Sequence, residues 1–157
     1  MRILDQKLFY YVVALVAYVL ASQNQCTFSY ARCKRQRFLS DDCGVSGKWM
    51  NQLNSTMELC CYKGNLFGKY NSAVGRAEDY YHLRGRYTVR GGDCILGWSI
   101  AYNNAAFGNS NSSSSWAGIH YADEGIIYTQ WLLARYQQRE HFWRAFHTNQ
   151  DTFKRIC

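Results

Sequence analysis

From residue 43 to the C-terminus, apolar and polar side chains alternate in short runs that turn residues interrupt. Alternation with a period of two places every second side chain on one face, which is typical of a β-strand with one buried face. The clearest runs cover residues 47–55, 66–74, 95–104, 112–118, 127–133 and 143–156. Spacing this regular predicts an all-β domain, and it favours a meander closed into a barrel over two packed sheets.

Two segments have a different texture. Residues 135–144 are polar and charged, and they predict a helical turn or a loop. Residues 109–115 are a low-complexity run of asparagine and serine, which is most simply a flexible loop.

One face of the alternating runs mixes aromatic with polar side chains. Its aromatic members are Trp98, Tyr102, Trp116 and Trp131, and its polar members are Asn51, Ser55, Tyr70, Ser72, Ser114 and Asp151. A packed core avoids so many polar groups, because each buried one needs a hydrogen-bond partner. Aromatic walls with converging polar groups describe a small-molecule site, and an eight-stranded barrel has room for one small ligand. The alternative is that the polar groups lie near the barrel mouths and contact water, but their number favours a pocket.

The N-terminus has the pattern of a secretory signal peptide over residues 1–21. Arg2 and Lys7 accompany an apolar run from Leu8 to Leu20, and Ala21 offers a cleavage site. The run is short for a membrane span, so a signal anchor is the weaker alternative. We therefore expect a secreted, extracellular protein that has no membrane attachment after signal removal.

The chain is basic, with a formal net charge of +7. Residues 22–42 contribute to this charge, and they predict a basic extension before a domain over residues 43–157. The charge indicates either a soluble basic surface or attraction to polyanions such as sulfated glycans, nucleic acid or anionic membranes. We favour the first explanation and expect no nucleic-acid partner.

All seven cysteines follow the predicted signal peptide, at Cys26, Cys33, Cys43, Cys60, Cys61, Cys94 and Cys157. In an oxidising compartment they should form disulfides, and the odd number leaves one thiol that is free or that bridges two subunits. The pairing stays open, although Cys60 and Cys61 are too close for an easy mutual bond. Sequons at Asn54 and Asn111 predict a glycoprotein if the source is eukaryotic.

Catalytic patterns are missing from the sequence. Four histidines and scattered acidic residues form no nucleophile–base arrangement, and no cysteine spacing resembles a zinc site. We therefore expect a binding protein without a metal or cofactor, and not an enzyme.

Six stretches resemble the avidin/streptavidin family, in order and at nearly the family's spacing. They are GKWMNQLNST (47–56), SAVGRAE (72–78), LRGRY (83–87), LGWS (96–99), TQWLL (129–133) and DTF (151–153). One motif alone is weak, since the Gly-x-Trp at residues 47–49 also opens lipocalins, but six in register are specific. The resemblance implies an eight-stranded antiparallel up-and-down β-barrel that binds biotin with high affinity. It also suggests that the protein sequesters biotin in an antimicrobial or defence role.

The resemblance assigns roles around the ureido ring of biotin. Asn51, Ser55 and Tyr70 match three donors to the ureido oxygen, an arrangement that favours a polarised urea. Ser72 and Asp151 match the acceptors for the two ureido N–H groups, and an ionised aspartate makes the stronger, charge-assisted bond.

Further matches surround the rest of the ligand. Ser114 matches a hydroxyl near the ring sulfur, and Ser112 and the backbone N–H of Arg76 match contacts to the carboxylate. The walls of the pocket match Leu53, Val74, Tyr102, Trp116, Trp131 and Leu133. Trp143 matches the tryptophan that each subunit lends to a neighbour's pocket, which implies a homotetramer.

The sequence also departs from the family's pattern. Tyr102 stands where the family has tryptophan, and Arg76 replaces a smaller residue. The segment between Tyr102 and Trp116 is one residue longer, which leaves the assignments of Ser112 and Ser114 open to a shift. His120 occupies the position of the family cysteine that would pair with Cys43, so Cys43 needs another partner or stays free.

Two other functions compete with biotin binding. A lipocalin-like carrier of another small ligand shares the Gly-x-Trp motif, but it does not explain Asn51, Ser55, Tyr70, Ser72 and Asp151 together. A cationic defence or matrix protein would act through residues 22–42 and use the barrel as a scaffold.

Overall fold

The structure is a computed structural model that describes residues 10–16, 43–74, 79–104 and 108–157. Residues 10–16 are helical, and no helix in these described ranges is long and apolar enough to cross a membrane. The predicted signal peptide at residues 1–21 lies mostly outside the described residues, and the predicted extension at 22–42 lies wholly outside them. Both stay predictions.

Eight antiparallel strands form one closed barrel, in which each strand pairs with its neighbours in sequence and the last pairs with the first. A short 3₁₀ helix at Arg139–Arg144 precedes the last strand. The strands are β1 (Gly47–Asn51), β2 (Thr56–Tyr62), β3 (Asn65–Asn71), β4 (Tyr81–Arg90), β5 (Asp93–Asn104), β6 (Gly108–Tyr121), β7 (Ile126–Arg135) and β8 (Phe146–Arg155). The predicted eight-stranded antiparallel up-and-down barrel is confirmed.

The first and last alternating runs are shorter as strands than expected. β1 ends at Asn51, because the chain turns there: Asn54 N–H donates to the Asn51 carbonyl (3.0 Å). Alternation in residues 52–55 is therefore a coincidence of the turn. β8 begins at Phe146, and Trp143 lies in the 3₁₀ helix that precedes it.

The expected flexible loop at residues 109–115 is wrong. These residues belong to β6, which pairs with β5 on one side and with β7 on the other. Ser113, Ser114 and Ser115 pair on both edges, and this outweighs the low strand propensity of serine, since strand preference depends on context more than on residue type.

The apolar core fills the end of the barrel where β1 begins and β2 ends. Its largest fully buried side chains are Trp49, Phe153, Met57, Leu59, Leu66, Leu83 and Ile127. The segment before β1 covers this end, because Trp49 Nε1–H donates to the carbonyl of Val45 (2.9 Å). The barrel therefore has one closed end, and the opposite end is left for a cavity.

Glycines allow neighbouring strands to approach closely, as at Gly68 of β3, where a Cβ would overlap the Glu58 carbonyl oxygen on β2. A Cβ at Gly85 of β4 would overlap the carbonyl oxygen of Gly97 on β5, and a Cβ at Gly118 of β6 would overlap that of Tyr128 on β7. Glycine inside a strand is typical where another backbone comes this near. Any larger residue at these positions would push the two strands apart.

A short ladder closes the barrel between its first and last strands. The register pairs of β1 and β8 are Trp49↔Arg155, Met50↔Lys154 and Asn51↔Phe153. Backbone hydrogen bonds of Lys48 with Ile156 and Cys157 (2.8–3.1 Å) continue the contact beyond the Trp49↔Arg155 pair. We call this junction the seam.

Disulfides reinforce the closed end. Cys43, before β1, is bonded to Cys61 on β2, so the family position that His120 occupies is not needed for pairing. Cys60 and Cys157 are also disulfide-bonded, and Cys94 is buried in β5. The expectation that these cysteines form disulfides is confirmed for Cys43 and Cys61.

Candidate ligand-binding cavity

A cavity of about 710 Å³ occupies the open end of the barrel. Its size lies within the usual range of small-molecule sites, which is about 300–1,000 Å³. The cavity is lined by Asn51, Leu53, Ser55, Tyr70, Ser72, Val74, Tyr102, Ser110, Ser112, Ser114, Trp116, Trp131, Leu133, Arg135 and Asp151.

The topology explains why residues so distant in sequence meet here. In an up-and-down barrel, odd-numbered strands end where even-numbered strands begin. The last inward residues of β1, β3, β5 and β7 therefore share this end with the first inward residues of β6 and β8. All the predicted site residues line the cavity except Arg76, which lies outside the described residues, and Trp143.

The β1–β2 turn fixes the orientation of the Asn51 side chain. Asn51 Oδ1 accepts the backbone N–H groups of Leu53 (3.0 Å) and Ser55 (2.8 Å). With its oxygen held by these two bonds, the amide directs its NH₂ group elsewhere. Asn51 is buried on the cavity wall, so the turn presents it to a ligand as a donor.

Two serines at the bottom of the cavity are committed to opposite roles. Ser55 Oγ accepts the backbone N–H of Ala73 (3.0 Å), so its own hydrogen remains available for donation. Ser72 Oγ instead donates to the carbonyl of Val74 (3.0 Å) and keeps lone-pair capacity for a ligand. The backbone after β3 thus makes Ser55 a donor and Ser72 an acceptor.

The Tyr70 hydroxyl lies between these serines and stays protonated. Burial raises the pKa of Tyr70 well above its ordinary value of 10.0, and hydrogen bonds with Ser55 and Ser72 oppose that shift. A neutral phenol is a donor as well as an acceptor. Tyr70 therefore joins Asn51 and Ser55 as a potential donor at the bottom of the cavity.

Asp151 supplies a buried carboxylate on the opposite side. Its Oδ2 accepts from Trp116 Nε1 (3.2 Å), and its Oδ1 accepts from Gln52 Nε2 (3.1 Å). Thr129 Oγ1 donates to the Asp151 backbone carbonyl (3.0 Å) and fixes the strand locally. The carboxylate is thus oriented by two side chains, and it retains lone pairs for a third donor.

Gln52 is a residue of this site that the sequence analysis missed. Its side-chain amide bonds with the backbone of β8 as a neighbouring strand would. Nε2 also donates to the Gln150 carbonyl (3.2 Å), and Oε1 accepts from Thr152 N–H (3.0 Å). Gln52 is exposed and leaves the chain from a turn. Alternation gives no signal for such a side chain, although it stands within the 47–56 stretch.

Aromatic side chains form the walls above the polar groups. Trp116 contacts the Tyr70 ring (centroids 5.1 Å apart), and Trp98 stacks behind it (5.7 Å, interplanar angle 12°). Trp98 lies on the inward face as expected, but it belongs to the core behind Trp116 and does not line the cavity. Burial raises the pKa of Tyr102, whose hydroxyl accepts from Ser114 Oγ (3.3 Å). Tyr102 and Trp116 therefore provide flat, rigid surfaces.

Polar groups return at the rim of the cavity. The hydroxyls of Ser110 and Ser112 are 2.8 Å apart, and Ser110 Oγ lies 3.3 Å from the Tyr102 carbonyl that it donates to. Ser112 and Ser114 both line the cavity, so the extra residue before them does not remove them from it. Arg135, the last residue of β7, is a further rim residue that the sequence analysis missed.

Trp143 is set apart from the cavity of its own chain. It lies in the 3₁₀ helix, is 72% exposed, and has the Arg144 guanidinium over its ring (4.4 Å). Its neighbour Phe142 is 62% exposed and contacts Phe146 of the same chain (5.3 Å). Contiguous exposed apolar patches mark candidate interaction surfaces.

The sequence was compared with models of known protein families. The model of the avidin family matches residues 39–156, which include the whole barrel and every described residue of the cavity. The chain belongs to the avidin family. The resemblance drawn from the six stretches is therefore confirmed, and the family is one of binding proteins. Among the described residues of this avidin-family chain, no cluster of side chains is suited to hold a metal ion.

Proposed function

We propose that this avidin-family chain is a secreted protein that binds biotin in the open end of its barrel. The observation that carries the proposal is the sorting of donors and acceptors at the bottom of the cavity. Asn51, Ser55 and Tyr70 offer donors, whereas Ser72 and Asp151 offer acceptors. A cyclic urea carries one carbonyl oxygen and two N–H groups, and it complements this set.

The apolar part of the cavity, above the polar groups, suits the rest of the biotin molecule. Above the polar groups, Trp116, Trp131 and Tyr102 provide an aromatic sleeve for a thioether ring and an alkyl chain. Leu53, Val74 and Leu133 line the same cavity. High affinity is expected because hydrogen bonds already fix the polar side chains, so binding orders little.

Calorimetric titration with free biotin tests the proposal. Lipoic acid is the matched control ligand, because it has a sulfur ring and the same acid chain but no urea. We expect saturable binding of one biotin per chain and a preference over lipoic acid of about 10⁴-fold, since a site built for hydrogen bonds rejects an analogue that lacks them. Equal affinities would favour a lipocalin-like carrier, and no heat with either ligand would refute the proposal.

We also propose that the chain assembles as a homotetramer in which Trp143 covers a neighbouring cavity. Its exposure in the single chain supports this proposal. Light scattering after size exclusion measures the assembly, and Trp143→Ala should then weaken biotin binding although the residue lies outside its own chain's cavity. Tyr121→Ala is the control, because it removes an exposed aromatic ring at the closed end of the barrel, away from the cavity. A monomer with unchanged affinity in Trp143→Ala would exclude the sharing.

Secretion, glycosylation and defence remain parts of the proposal. Expression in eukaryotic cells should release a protein that begins at Ser22, and glycosidase treatment reports on Asn54 and Asn111. Both asparagines are exposed, which makes them accessible to a transferase. A role in sequestration predicts that the protein arrests a biotin-requiring bacterium and that excess biotin restores growth. Salt-sensitive binding to heparin that deletion of residues 22–42 abolishes would instead favour the cationic alternative.

A further inference from the structure

The cavity is electrically polarised along its length. Among its described lining residues, only Asp151 and Arg135 carry formal charges. Asp151 is 4% exposed at the bottom, whereas Arg135 is exposed at the rim. A ligand that enters therefore meets a cation first and an anion last.

The position of Arg135 follows from the register of β7. Thr129 pairs with Asp151 across β7 and β8, and Arg135 lies six residues further on the same inward face. At a rise of about 3.3 Å per residue, six residues span about 20 Å of a tilted strand. The Arg135 N–H donates to the Ala145 carbonyl (2.8 Å), so the backbone that carries the guanidinium is held in place.

The groups around Arg135 leave its charge available. Its register partner on β6 is Ser112, and no acidic side chain of the described residues forms an ion pair with it. The charge of Arg135 acts on a side chain of the cavity wall: burial raises the pKa of Tyr102, and the Arg135 guanidinium partly lowers it again. Ser110 donates to the Tyr102 carbonyl, so the Ser112 hydroxyl donates its own proton to Ser110 (2.8 Å) and leaves Arg135 as the donor at this level.

We propose that Arg135 makes the cavity selective for ligands whose outer end is an anion. The inference rests on the proposed function, because the anion in question is the carboxylate of biotin. Arg135 forms its subsite beside Ser112, and its guanidinium offers a fork of N–H donors. Biotin amides and esters lack the charge and bind less tightly.

The size of the effect follows from the exposure of the rim. An exposed ion pair adds little to binding affinity, whereas a buried charge-assisted hydrogen bond adds more. A pair between Arg135 and a ligand carboxylate at the rim lies between these cases, so we expect biotin to bind about 3- to 20-fold more tightly than its amide. The preference should shrink at high salt, because mobile ions screen exposed charges. Shape alone does not produce this salt dependence.

The test compares free biotin with biotinamide on five proteins by competition calorimetry. They are the natural chain, Arg135→Gln, Arg135→Lys, Arg76→Gln and Arg90→Gln. Arg90 lies at the closed end of the barrel, so Arg90→Gln makes the same change of net charge away from the cavity. We expect the ratio of the two dissociation constants to fall towards one in Arg135→Gln, to be largely kept in Arg135→Lys, and to be unchanged in Arg90→Gln.

Each outcome has a distinct meaning. If the natural chain binds both ligands and Arg135→Gln keeps the full ratio, the inference is wrong and the proposed function stands. If Arg76→Gln removes the ratio while Arg135→Gln keeps it, the selectivity belongs to a different residue, and the inference is again overturned. If the natural chain binds neither ligand, the proposed function itself fails. Because Arg135 is exposed, its variants should fold, and circular dichroism checks that they do.

Discussion

Replacing Asp151 by asparagine should weaken biotin binding strongly, although the two side chains have the same shape. In the natural chain the carboxylate accepts from Trp116 Nε1 and Gln52 Nε2, and the proposed ligand adds a third donor. Asparagine has one acceptor oxygen and an NH₂ group, so at least one of the three donors must face another donor. The substitution therefore creates a clash of donors and does not simply remove a charge.

The magnitude can be worked out from the type of bond. A hydrogen bond to a charged group contributes about 1.5–3 kcal/mol. At 1.4 kcal/mol per factor of ten, its loss lowers the affinity for biotin by about 10- to 150-fold. Asp151→Ala should fall in the same range, because it leaves the same donors without an acceptor.

Competition calorimetry with biotin measures the change, and thermal melting first establishes that the variant is folded. Asp93→Asn is the matched control: Asp93 accepts from Ala122 N–H (2.9 Å) in a turn at the closed end of the barrel. It should leave biotin affinity unaltered. A dissociation constant for Asp151→Asn within about threefold of the natural value, well under 1 kcal/mol, would remove Asp151 from the site.

Three further predictions concern stability and pH. Replacing both Cys43 and Cys61 by alanine should lower the free energy of unfolding by about 3 kcal/mol, because the bond closes a loop of 18 residues; denaturant titration measures this, and an unchanged midpoint would contradict it. Gly85→Ala should destabilise the barrel by about 1–3 kcal/mol, since its Cβ would overlap a carbonyl oxygen of β5. Gly91→Ala is the comparison, because a Cβ there meets open space although φ is +61°. Equal melting temperatures of the two variants would show that β4 and β5 move apart at little cost. Burial raises the pKa of Tyr70 above 10.0, so biotin affinity should hold as the pH rises to that value. Stability should then fall above it, because the unfolded tyrosine ionises first and the folded one retains its proton; Tyr70→Phe should flatten that fall, and an equal slope in both proteins would contradict the assignment.

The barrel was largely predictable because its signal is local. Alternation in β5 and β7 is set by burial of one face, which the sequence displays directly. β2 and β4 alternate in the structure too, but their sequences hide it. In β2 the alternation of Thr56 to Leu59 is lost at the adjacent Cys60 and Cys61, and Gly85 in β4 resembles a turn. The number of strands therefore came from the family resemblance and not from the pattern.

The site was predictable where a side chain lies on the inward face of one of the alternating runs. Asn51, Tyr70 and Asp151 satisfy that condition, and all three line the cavity. Gln52 reaches Asp151 from a turn, so its role depends on the path of the chain between two strands. Arg135 stands two residues beyond the 129–133 stretch, and its position at the rim follows only from the β6–β7 register.

The seam has a consequence for how the protein opens and closes. Its ladder joins strands that lie about as far apart in sequence as the barrel allows, so it is costly in loop entropy and is expected to form late in folding. Gln52 bridges this junction and holds the carboxylate of Asp151 with the same amide. Local unfolding at the seam would therefore dismantle the acceptor. A bound ligand should therefore stabilise the pairing of β1 with β8 and slow hydrogen exchange most at the backbone amides of these two strands.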